Sequence, residues 1–150
     1  MTYSSGDKLV EILLVEDNPG DVDLARVALR TSQIPNRLHG VADGEAALAF
    51  LSQEEPYTDA PRPDLILLDL NLPLINGREV LQKIKFDPNF QAIPVIIFTS
   101  SASEADIRQS YQLHANCYLT KPLKLEEFME VIHSIEAFWL TRVQLPPKGG

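Results

Sequence analysis

Leu65-Ile66-Leu67-Leu68 and Val95-Ile96-Ile97-Phe98 are apolar at every position. A short strand carries that pattern when both faces are covered, because one wet face would impose polar alternation. Leu13-Leu14-Val15 and Cys117-Tyr118-Leu119 are similar runs, and amphipathic stretches separate them. Buried strands alternating with helical patterns point to an α/β chain: a five-stranded parallel sheet, doubly wound from five βα units.

Strands are expected at 11–15, 38–41, 64–68, 95–98 and 117–119. The first helix, 21–32, places Val22, Ala25, Val27 and Leu29 mostly on one side before Pro35. Asp43-Gly44-Glu45 opens a helix at 46–51, and residues 53–63, with Pro56, Pro61 and Pro63, read as a surface loop. A third helix starts near Gly77 with Val80, Leu81 and Ile84 inward and ends at Asp87-Pro88. Helices at 104–113 and 125–139 complete the order.

In the last helix Leu125, Phe128, Ile132, Ile135 and Trp139 recur at helical spacing and would cover the sheet, leaving Met129, Phe138 and Leu140 at its side or beyond the core. Thr141, Val143 and Leu145 then alternate with Arg142 and Gln144, as in a half-buried strand. We expect an N-terminal arm at 1–8, a domain at 9–140, and a tail at 141–150 that pairs with a second copy in a homodimer; the alternative is a tail folded back on its own domain.

A chain of 150 residues suits one core. Its net charge of -8 argues against a nucleic-acid backbone or membrane surface as partner. No apolar run approaches the roughly 18 residues of a membrane span, so we expect a soluble, cytoplasmic protein. The single cysteine, Cys117, cannot form an internal disulfide or thiolate cage and reads as a buried strand residue. His39, His114 and His133 fall in separate elements without paired spacing.

Each run leads into polar chemistry: Glu16-Asp17 after the first, Asp69 after the third, Thr99 after the fourth, Thr120-Lys121 after the last. In a parallel sheet these ends share one crevice. Three carboxylates there repel one another unless a cation intervenes, and magnesium, which takes oxygen ligands and commonly one or two carboxylates beside phosphate oxygens, suits them. Asp69 closes the most buried strand and is best placed as a nucleophile toward phosphorus, giving an acyl phosphate. Thr99 offers a donor to a phosphoryl oxygen, and Lys121 a charge for Asp69 and then for phosphate.

Leu14-Val15-Glu16-Asp17-Asn18, Asp43-Gly44-Glu45-Ala46-Ala47, Asp69 with Pro73 and Gly77, Thr99-Ser100 and Tyr118-Leu119-Thr120-Lys121-Pro122 together resemble the receiver domains of two-component response regulators over about residues 9–138. The resemblance implies a flavodoxin-like fold and phosphoryl transfer from a histidine kinase to Asp69. It implies magnesium among Glu16, Asp17, Asp69 and the Asn71 backbone carbonyl. Thr99 would be the switch hydroxyl, Ser100 its neighbour at the phosphoryl site, and Tyr118 the rotating aromatic. Lys121 would be followed by a cis bond to Pro122, while Asn71 and Ser101 would tune hydrolysis. Phosphate would draw Thr99 inward and open space for Tyr118.

Residues 68–73, Ala115-Asn116-Cys117-Tyr118 and Phe138-Trp139-Leu140 are most similar to single-domain regulators of bacterial and cyanobacterial phytochrome kinases, which implies such a kinase as partner. The competing reading is a magnesium-dependent phosphohydrolase of small esters using Asp69 as nucleophile. Asn71, however, stands two residues after Asp69 where a general acid would be needed.

Overall fold

The computed structural model describes residues 9–147, so the expected arm at 1–8 and the end of the tail lie outside the described residues. The elements run β1 Val10–Val15, α1 Pro19–Arg30, β2 Asn36–Val41, α2 Gly44–Ser52, β3 Leu65–Leu68, α3 Gly77–Lys85, β4 Val95–Thr99, α4 Glu104–Gln112, β5 Cys117–Thr120 and α5 Leu125–Trp139. The strands form one sheet in the order β2-β1-β3-β4-β5. Every pairing is parallel, with Val15 opposite Leu68 and Thr99 opposite Thr120. The chain steps one way from β1 to β2 and the other way from β3 onward, so a crevice opens beyond the carboxyl ends of β1 and β3.

The two-residue period of the strands divides the core. Leu13, Val15, Ile66, Leu68, Val95 and Ile97 pack with Phe50, Val80, Leu81 and Ile84. Ile12, Leu14, Leu65, Leu67, Ile96 and Phe98 pack on the opposite face with Ala25, Ala28, Leu29, Phe128, Ile132 and Ile135. Four helix starts are fixed by side-chain caps: Asn18 accepts from Gly20 and Asp21, Asp43 from Ala46, Asn76 from Glu79 and Ser103 from Asp106, while α5 begins without one. α4 is the least anchored, since Ser110 is its one buried residue and the Ser110 hydroxyl has no hydrogen-bond partner among the described residues.

Several expectations need correction. Asn18 starts α1 at Pro19, and the buried stripe is Ala25, Ala28 and Leu29, so Val27 points to solvent. Cys117 is half-buried because β5 is an edge strand; partial burial still raises its thiol pKa. Leu125 sits at the exposed start of α5, whereas Leu140 is buried against the core. Beyond it the chain turns, and 144–147 is irregular instead of a strand. Leu145 packs against the apolar cluster under α1 and α5, and Pro146 and Pro147 lie beside Arg62, Pro63, Asp64 and Ile93. The described part of the tail therefore folds back on its own domain. Among the described residues the cis peptide is Glu55–Pro56, and Lys121–Pro122 is trans; trans remains favoured by about 0.5–1 kcal/mol even before proline.

Lys85, on the buried side of α3, donates to the carbonyls of Gln91 at 3.1 Å and Ile93 at 2.8 Å. Burial lowers its pKa to about 8. Below that value the folded protein carries the full cost of a buried ammonium. Between about 8 and 10.5 the unfolded chain binds the extra proton, so this contribution to stability rises with pH. Urea titrations from pH 7.5 to 10 should show wild type gaining relative to Lys85→Met by on the order of 1–3 kcal/mol. Parallel pH profiles for the two proteins would contradict the assignment.

Candidate functional site

Asp69 follows β3, the most enclosed strand, and only 4% of the residue is exposed. Its backbone N–H donates to the Val15 carbonyl at 3.1 Å, which holds it beside the end of β1. After it, the chain turns tightly enough for Gly77 N–H to donate to the Leu70 carbonyl at 2.9 Å. Gly77 lies flat on this turn: a Cβ there would stand 2.3 Å from the Asp69 carbonyl oxygen.

Both oxygens of the Asp69 side chain are engaged. Oδ1 accepts the Thr99 hydroxyl at 2.7 Å and the Asn71 backbone N–H at 2.9 Å. Oδ2 accepts Lys121 Nζ at 2.8 Å. The same ammonium donates to Asp21 Oδ2 at 2.9 Å and to Glu16 Oε1. Asp69, Thr99, Lys121 and Glu16 thus converge as expected. Thr99 is already drawn in, so phosphate is not needed to bring it there: an ionised carboxylate is itself a strong acceptor for that hydroxyl.

Glu16 is buried, and desolvation outweighs its contact with Lys121; the nearby Asp69 charge adds to the effect, pushing the Glu16 pKa up to about 7. For Lys121, burial works to lower the pKa, yet the bonds to Asp69, Glu16 and Asp21 prevail and the ammonium is held above its ordinary value. One cation therefore serves three acids.

Glu16, Asp17 and Asp69 present carboxylate oxygens all within 4.8 Å of one another. Asp17 is exposed, and no side-chain partner engages it among the described residues. Hard oxygen donors at this spacing, one of them facing solvent, fit a divalent cation that keeps several waters. The cluster could hold magnesium.

Asn71 sits at the rim, its side-chain amide 3.4 Å from both the Thr99 and Ser100 hydroxyls. Ser100 is exposed. Tyr118 is half-buried on β5, and its hydroxyl donates to the Ser101 carbonyl at 2.9 Å, one loop away from Asp69. Asp21 was missed in the sequence; its signal was an acid in the first helical turn directly after Glu16-Asp17. His39 lies outside the site and pairs with the buried Glu11, which Arg37 also holds.

Chemically, the arrangement offers a buried carboxylate with positive charge on one oxygen and a hydroxyl on the other, beside an acid cluster suited to a metal. Asn71 supplies an amide where turnover hydrolysis would require an acid.

The profile of the response regulator receiver domain matches residues 12–133. The response regulator Rcp1 of Synechocystis is 50% identical over 135 residues, covering 90% of this chain and 92% of its own length. The crystal structure of the Mn(2+)-bound form of Rcp1 is similar with a TM-score of 0.89 and 49% identity, covering 92% of this chain and 99% of that one. The crystal structure of the phosphorylated cyanobacterial phytochrome response regulator RcpA gives a TM-score of 0.91 at 48% identity over 93% of this chain and all of the other, 100%.

Proposed function

We propose, from the premise that this chain belongs to the response regulator receiver family, that it accepts a phosphoryl group from a histidine kinase on Asp69 and switches an interaction surface in response. It is a signalling protein rather than a metabolic enzyme. The observation that carries this reading is the engagement of Asp69 by Lys121 on one oxygen and Thr99 on the other, within the acid cluster.

A carboxylate oxygen of Asp69 attacks the phosphorus of a phosphohistidine; the P–O bond forms as the P–N bond breaks, and the imidazole leaves with a proton. Lys121, released from Asp69, pairs with the phosphoryl oxygens, and Thr99 turns its hydroxyl to one of them. Glu16, Asp17, Asp69 and the Asn71 carbonyl would hold magnesium, which supplies neutralising charge to the incoming phosphoryl group. Asn71 at the rim and Ser101 bear on hydrolysis, Ser100 lies beside the phosphoryl site, and Tyr118 reports the state of the loop after Thr99.

The kinase we favour is a phytochrome, because Rcp1 and RcpA share about half of this sequence and RcpA is a phytochrome response regulator. No helix among the described residues is long and apolar enough to cross a membrane, and a cytoplasmic setting without a nucleic-acid partner suits such a role. Acetyl phosphate with magnesium should give one slowly decaying, hydroxylamine-sensitive label per chain, and phosphotransfer should be fastest from a phytochrome kinase. Sustained phosphate release over many turnovers would instead support a hydrolase.

We further propose that residues 9–140 form the receiver unit and that it dimerises through the exposed end of α5, with the tail from 141 folded back on its own protomer as far as it is described. Phe138 supports this reading: it is 56% exposed at the end of α5 and meets the Trp139 ring edge-on at 6.0 Å. Phe138→Glu should shift the full chain from dimer to monomer in light scattering at tens of micromolar while preserving phosphorylation. A wild type already monomeric at that concentration removes the claim.

A further inference from the structure

Ser101, two residues after Thr99, is held through its carbonyl and its hydroxyl. Its carbonyl accepts the Tyr118 hydroxyl at 2.9 Å, and its own hydroxyl donates to Asp106 Oδ2 on α4. The other oxygen of Asp106 accepts Arg78 Nη1 from α3, and the Asp106 backbone N–H is capped by the Ser103 hydroxyl at 3.0 Å. Arg78 directly follows Gly77, the residue packed on the Asp69 backbone. The loop after β4 is thus tied at one end to the acceptor through Thr99 and at the other to α3 through Asp106.

Resting on the acceptor role of Asp69, we propose that Arg78 and Asp106 form a positioning clamp. It holds Ser101 where Tyr118 meets it and so favours the drawn-in arrangement of Thr99 that receives the phosphoryl group. The sign follows from coexistence. The clamp, the Tyr118–Ser101 bond and the Thr99–Asp69 bond are all made in one arrangement, so loss of the clamp shifts population away from it. A ligand that selects the arrangement then binds more weakly, as linkage requires. Neither clamp residue touches the Asp69 carboxylate. Each acts through Ser101.

The side chains of Arg78 and Asp106 are 37% and 26% exposed, so screening by water keeps the effect modest. Beryllofluoride with magnesium, titrated by calorimetry, should bind Arg78→Met roughly two- to fivefold more weakly than wild type. Asp106→Asn should lose at least as much, since it also weakens the bond to Ser101. The double variant should be no worse than Asp106→Asn alone, and Arg78→Lys should recover most of the affinity. The Tyr118 ring resonances should move with affinity across the set.

Thermal unfolding of each variant separates a merely structural role, which would lower the midpoint and leave affinity unchanged. That result, or independent additive losses from the two substitutions, overturns the clamp. A wild type that takes up no beryllofluoride overturns the acceptor reading and the clamp with it. Wild-type binding beside unaltered variants overturns the clamp alone.

Discussion

Replacing Asp69 with asparagine should leave a folded protein that takes no covalent phosphate at all. The new side chain keeps the shape, and its oxygen still accepts the Thr99 hydroxyl and the Asn71 N–H now directed at Oδ1. Its amide nitrogen is a poor nucleophile and turns a donor toward Lys121, which retains Glu16 and Asp21 as partners. Loss of one ion pair is offset by relief of repulsion within the acid cluster, so the urea midpoint should change by no more than about 1 kcal/mol equivalent. Circular dichroism checks the fold, and acetyl phosphate with magnesium checks the chemistry. A hydroxylamine-sensitive label retained by Asp69→Asn would remove Asp69 from its role.

Gly77→Ala should be severe for a different reason. A Cβ at that position would lie 2.3 Å from the Asp69 carbonyl oxygen, 2.5 Å from Leu70 Cα and 3.0 Å from the Asp69 carbonyl carbon. All three atoms belong to backbone leaving the central strand, and none can move without displacing the acceptor. Overpacking against such a wall should cost on the order of 3 kcal/mol, the upper end for an inserted carbon and a large share of the roughly 5–15 kcal/mol that stabilises a domain. Urea unfolding should show the loss, and phosphorylation should slow in step with it. Gly44 makes an instructive contrast: its nearest obstacle, 2.5 Å away, is the Val80 Cγ2 methyl. Gly44→Ala should therefore be milder. Equal midpoints for Gly77→Ala and wild type would mean that the turn after Asp69 has room the structure does not show.

The central strands were legible because burial on both faces leaves an uninterrupted apolar run, and their order delivered Asp69, Thr99 and Lys121 to one crevice. Edge strands were harder. β2 begins at Asn36, earlier than expected, because ladder pairing with β1 carries mixed residues that apolar patterning ignores. In α1 a late start shifted the phase and put Val27 in place of Ala28, since the Asn18 cap, not the apolar stripe, fixes the first turn. Partners remote in sequence were least visible. Asp21 reaches Lys121 across 100 positions and Arg78 reaches Asp106 across 28, and nothing local in either sequence marks its partner. At α5 the spacing fixed Phe128, Ile132 and Ile135 but not the ends, where Leu125 meets solvent and Leu140 is buried in the apolar cluster.

The weak anchoring of α4, whose one buried residue is an unpartnered serine, gives the molecule a grain. α1 is seated by Ala25, Ala28 and Leu29 and shares an apolar cluster with Phe128, Ile132 and Ile135 of α5, so a disturbance at the crevice meets stiff material on that flank and yields toward α4 and β5. A protein that docks on α1 then holds the regulator with nearly the same strength before and after phosphorylation. One that docks on α4 reads the difference.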